Sequence, residues 1–129
     1  MDDLQDYIEK WMFRADEDLA VIDRLCEADL SDYSSSICFH AQQAVEKYLK
    51  ALLVLKGVDF PKTHDVDYLL SECQKVTSGV LKRVDLKSLT DYGVAARYPD
   101  DFCIPDRSET IHYIQVAKEI EQIVKRLLE

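Results

Sequence analysis

Residues 34–57, SSSICFHAQQAVEKYLKALLVLKG, set the tightest limit on what this chain can fold into. The stretch contains no proline, and its one glycine comes last. Ile37, Ala41, Ala44, Tyr48, Leu52 and Leu55 recur at helical spacing and form an apolar face. Phe39, Val45, Leu49 and Leu53 widen that face around much of the cylinder. A helix this apolar needs cover on more than one side, so it belongs at the centre of a bundle. Small Ala41, Ala44 and Ala51 let a neighbouring helix approach closely, and Gly57 ends the helix.

The rest of the chain supplies the neighbours. Leu4, Ile8, Met12, Ala15, Leu19, Ile22 and Cys26 form a single stripe over about six turns. Glu9, Asp16, Asp23 and Glu27 mark its solvated face. EADLSDYSSS breaks the pattern and caps the helix that follows. After VDFPK, Thr63 is a good N-cap, with Leu69, Leu70 and Cys73 facing inward until the pattern fades near TSGV. DLKSLTDYGVAARY reads as a shorter segment with Asp85 as its cap, and Pro99 and Pro105 bracket an irregular loop. A last helix starts near Arg107 or Ser108, with Ile111, Ile114, Ala117, Ile120, Val124 and Leu127 as its stripe. No strand-like alternation persists anywhere. The expected fold is an all-α helical bundle.

The chain has 129 residues, which suits one domain spanning 1–129. A net charge of −9 argues against a general nucleic-acid coating protein, but not against a small cationic site within an acidic surface. Cys26, Cys38, Cys73 and Cys103 make no CxxC pair, so reduced and mostly buried thiols are expected, with no metal and no cofactor. The acidic start MDDLQDYIEK is unlike a secretory signal, and no apolar run is long enough to span a membrane. These features lead us to expect a cytoplasmic protein.

FHAQQAVEKYLKALLVLKG, FPKTHDVDYLL and DYGVAARYPDDF follow one another in an order that resembles the HEPN domain family, over roughly positions 7 to 127. The resemblance is to the short, stand-alone form often encoded beside a minimal nucleotidyltransferase. It implies an up-and-down bundle, here four long helices plus a shorter one, in a twofold homodimer. It also implies two classes of function. Many members are metal-independent RNases with an Arg-x(4–6)-His motif near the start of a late helix. Others bind nucleotides or serve as non-catalytic interaction modules. In some toxin–antitoxin pairs the nucleotidyltransferase modifies a tyrosine two residues after the histidine.

Arg107-Ser-Glu-Thr-Ile-His112 matches that motif in spacing and place, which makes Arg107 and His112 the catalytic candidates. Position 114 is Ile114 and Tyr113 directly follows the histidine, so the tyrosine does not match. The chemistry needs no metal. RNA carries its own 2′-OH nucleophile, a histidine moves the proton, and an arginine holds the phosphate. Five helical residues turn the chain by about 500°, leaving the two side chains about 140° apart. The pair therefore requires Arg107 at the cap or a contribution from a twofold partner.

Other residues have both a structural and a ligand-binding reading. His40, Gln43 and Lys47 form a polar stripe on the second helix; it is either a packing network or a cleft face where Lys47 and Lys50 meet phosphates. His64 follows the Thr63 cap and is a further ligand candidate. Arg97 either complements a helix C-terminus or grips a phosphate while a base stacks on Tyr98. Trp11, Phe13 and Tyr33 belong to the core or to an interface. Two functions stay open: a metal-independent endoribonuclease paired with a nucleotidyltransferase in a toxin–antitoxin-like system, and a non-catalytic nucleotide-binding or protein-interaction module.

Overall fold

The computed structural model describes residues 2–87, 89–90 and 104–129. Four helices lie in these residues: α1 (Asp3–Asp29), α2 (Ser34–Leu55), α3 (Val66–Lys75) and α4 (Arg107–Leu128). No strand is present among the described residues, and none of the helices is long and apolar enough to cross a membrane. The architecture is an all-α bundle. Three of the four helices are long and one is short; most of the segment expected between 85 and 98 lies outside the described residues, as does Cys103.

The central position expected of α2 is what the structure shows. It packs against α1, α3 and α4. Ile37, Ala41, Tyr48, Leu49, Leu52 and Leu53 have no exposed surface. Ala41 and Ala44 are equally buried, as close helix approach requires. Cys38 and Cys73 are sealed in the same core. Burial pushes the two thiols up to about 11 and about 12, so they stay protonated and unreactive near neutral pH.

Three local expectations are corrected. The cap of α3 is Asp65, whose carboxylate accepts from the Tyr68 N–H at 3.1 Å; Thr63 instead accepts from the Asp65 N–H, two residues earlier. Leu4 is half-exposed because the first turn of α1 overhangs the loop after α2, beside Val58 and Phe60. On α4 Ala117, Ile120 and Val124 are buried as expected, but in the first turns Thr110 and Tyr113 hold the core positions in place of Ile111 and Ile114. Thr110 holds a core position because its hydroxyl donates to the Asp106 carbonyl at 2.8 Å and the Cys38 thiol lies 3.8 Å away. Ile111 is left half-buried.

Candidate functional site

Asp106 caps α4 and makes Arg107 its first helical residue. The Asp106 carboxylate accepts from the Glu109 N–H at 2.8 Å, and the Glu109 carboxylate accepts from the Asp106 N–H at 3.3 Å. This reciprocal capping box holds both acids that flank Arg107. The Arg107 guanidinium has no carboxylate in ion-pair reach among the described residues.

Arg107 and His112 open onto one surface depression of about 620 Å³, together with Lys87, Ser108, Ile111 and Gln115. Arg107 is the first helical residue and not the cap, which was one of the two arrangements that the spacing had left open. The helical arc explains why the two still line one hollow. Ile111, Gln115 and Ser108 fall at about 40°, 80° and 100° from Arg107, between it and His112 at about 140°. The depression spans that arc, so the two side chains stand at its opposite edges. A second depression of about 520 Å³ continues along α4 past Ile114 and Lys118.

One edge is built by a distant part of the chain. His112 Nε2 lies 3.1 Å from the main-chain carbonyl of Asp85. A carbonyl only accepts, so this contact is a hydrogen bond only when Nε2 carries the proton, and in the neutral ring that leaves Nδ1 as the acceptor. The Asp85 carboxylate accepts from the Lys87 N–H at 2.9 Å, closing an Asx turn. Lys87 takes φ 49°, a conformation that non-glycine residues rarely adopt. Its ammonium has no acidic partner among the described residues.

The polar residues of α2 are arranged differently. His40 Nδ1 is 2.9 Å from one oxygen of Asp18, and Lys47 donates to the other at 2.6 Å. His64 Nδ1 is 2.8 Å from one oxygen of Glu46, and Lys50 donates to the other at 3.2 Å. Gln42 links the second group to the His64 carbonyl at 2.8 Å, and Gln43 donates to Gln42. Asp18, Glu46 and Lys50 are buried. The Lys50 ammonium also lies 5.2 Å above the Trp11 ring and 5.8 Å from that of Phe60. Lys47 and Lys50 thus meet carboxylates of their own chain. Each histidine–carboxylate–lysine group joins elements distant in sequence, which is what a packing network does.

Arg97 and Tyr98 lie outside the described residues. Phe13 and Tyr33 are exposed, whereas Trp11 is half-buried. The feature that sequence reasoning missed is Lys87 on the Asp85 turn. Its local signal is an Asp two residues before a Lys, which is too common to stand out. The contact that matters spans 27 positions.

Comparison with known proteins fits this architecture. The chain is 33% identical over 104 residues to a Methanocaldococcus jannaschii protein named "Putative toxin MJ1304", a match covering 74% of this chain and 66% of that one. The chain thus spans just under two thirds of that relative's length. No solved structure gives a significant match. The family model described as HEPN domain matches residues 8–127, nearly the whole of the bundle, and the chain belongs to the HEPN domain family.

Proposed function

We propose that this chain is a toxin-like HEPN protein that cuts single-stranded RNA without a metal ion. The observation that carries the reading is one depression lined by both Arg107 and His112, with Arg107 unneutralised among the described residues. The relative named as a toxin supports the biological class. In the reaction, His112 Nδ1 takes the proton of a ribose 2′-OH, and O2′ attacks the adjacent phosphorus. Arg107 stabilises the charge that builds on the phosphoryl oxygens. The P–O5′ bond breaks, leaving a 2′,3′-cyclic phosphate. The 5′-oxygen takes a proton from solvent, and the imidazolium returns its own to solvent.

The partners proposed are a second copy of the chain and an antitoxin of the minimal nucleotidyltransferase kind. The outer face of α4 is where a copy would complete the site, because the depression is open and continues along half-buried Ile111 and Ile114. The second reading is a non-catalytic nucleotide-binding or interaction module. The shallowness of the depression favours it, since a flat cationic patch suits docking as well as chemistry.

The test is cleavage of a labelled single-stranded RNA in EDTA by wild type, Arg107→Ala and His112→Ala. Cleavage to a 2′,3′-cyclic end, lost in both folded variants, upholds the enzyme. An intact RNA, or variants that cut as well as wild type, hands the depression to the binding module.

A further inference from the structure

We infer that the turn at residues 85–87 is the second half of this site, an inference that rests on the reading of the α4 depression as an RNA-binding one. The turn has two tasks. The main-chain carbonyl of Asp85 fixes the ring of His112, and Lys87 supplies a phosphate-binding cation across from Arg107.

Three observations converge on this turn. First, the carbonyl of Asp85 is 3.1 Å from His112 Nε2. In a neutral imidazole one nitrogen donates and the other accepts. A carbonyl partner at Nε2 selects the Nε2–H tautomer and leaves the lone pair on Nδ1. A side chain whose tautomer is set by a fixed neighbour is oriented before substrate arrives, which is the usual arrangement for a histidine that moves protons. Second, Lys87 is delivered by an unfavourable backbone conformation. Its φ of 49° is held by the bond from its N–H to the Asp85 carboxylate. The same Asp85 residue thus sets the position of His112 through its carbonyl and of Lys87 through its side chain. Third, Lys87 and Arg107 line the same depression without an acidic partner among the described residues, in a chain of net charge −9. Glu109 and Asp106, the nearest acids in sequence to Arg107, are engaged with each other's main chain. Two cations left facing one hollow fit a polyanion with more than one phosphate.

Asp85 is a positioning residue here and Lys87 a binding residue. Two measurements on the full chain decide the inference, and neither depends on turnover. Long-range 15N–1H correlation spectra report which His112 nitrogen carries the proton. The expected wild-type signature is Nε2–H. Asp85→Ala, which removes the acceptor of the turn, mixes the two tautomers, and Asp85→Asn, which keeps an oxygen there, restores the single form. A wild-type ring protonated on Nδ1 alone, or a tautomer unmoved by Asp85→Ala, overturns the positioning role. The second measurement is the salt dependence of binding to a 2′-O-methyl RNA strand, which lacks the nucleophile. Losing one phosphate contact lowers the slope of log K against log salt by about 0.7 for a single strand. Lys87→Ala is expected to show that loss and Lys87→Arg to reverse it. An unchanged slope removes Lys87 from the site. Cleavage of unmodified RNA is judged separately. Wild type that binds with the expected slope but cuts nothing leaves the turn's two roles standing and refutes the enzyme.

Discussion

His40 on α2 and His112 on α4 belong to two helices that pack together, and each makes one polar contact through its ring. Their surroundings differ in charge. His40 meets the carboxylate of Asp18, whose other oxygen is taken by Lys47. His112 meets a neutral carbonyl, with Lys87 and Arg107 around the same hollow. Near His40 each cation has an anion supplied by the chain. Around His112 the carboxylates of Asp85, Asp106 and Glu109 accept from main-chain N–H groups, and neither Lys87 nor Arg107 forms an ion pair among the described residues. The comparison shows that the lysines and histidines of α2 fasten helices together, while the hollow on α4 is lined by cations without an ion-pair partner among the described residues, which is what our proposal of an RNA site rests on. Residue type alone does not separate these cases; the inventory of local carboxylates does.

The comparison breaks most visibly in activity. Removing the acid–base group in His112→Ala should lower the RNA cleavage rate by about 10²- to 10⁴-fold while the melting temperature stays put. A matching loss of stability would mean that His112 belongs with His40, as a fastening. Next comes the buried acid of α2. Glu46→Ala strands Lys50, whose side chain is 7% exposed, and should cost about 3–5 kcal/mol in denaturant unfolding, the range for breaking a buried pair. Adding Lys50→Met should return much of that loss. If Glu46→Ala costs under about 1 kcal/mol, the network is ornamental to packing. A smaller effect is expected from Tyr48→Phe. The Tyr48 hydroxyl donates to Asp16 at 2.5 Å, and burial followed by that acidic neighbour pushes its pKa well up. Asp16 is 47% exposed and recovers water when the bond is lost, so calorimetry should show about 1 kcal/mol. The smallest change sharpens the contrast from the other side. Lys87→Ala should alter folding stability by no more than about 0.5 kcal/mol, because no intramolecular partner is lost.

Much of the bundle was legible because one physical signal, apolar periodicity, specifies it. The 34–57 stretch identified the central helix, and the structure starts α2 at Ser34 and ends it at Leu55. Periodicity failed where a polar residue occupies the core. Thr110 satisfies its hydroxyl within its own helix turn, so it packs like an apolar residue yet does not read as one. Reading Ile111 into the stripe misplaced only the start of α4, since Ala117, Ile120 and Val124 are buried as expected, and Ile111 lines the depression instead. Capping was read two residues early at Thr63, since Thr63 and Asp65 are both good acceptors and only the chain path chooses between them. Of the proposed site, one half could be read from the sequence as a candidate. Arg107 and His112 carry a recognisable spacing, whereas the Asp85–Lys87 turn reaches them through a contact between distant segments, which a single sequence does not encode in any local pattern.

The Trp11 environment has a practical consequence. This is the chain's one tryptophan, and it is half-buried with Tyr7 and Phe60 at its edges and the Lys50 ammonium over its face. Its indole N–H is shielded from solvent without a hydrogen-bond acceptor. Such an indole emits light at shorter wavelength than one in water. The protein therefore carries a built-in optical probe of how α1, α2 and the loop at Phe60 fit together. Emission from that single ring would report whether the bundle is intact in every variant described above, without adding a label to the surface where RNA is proposed to bind.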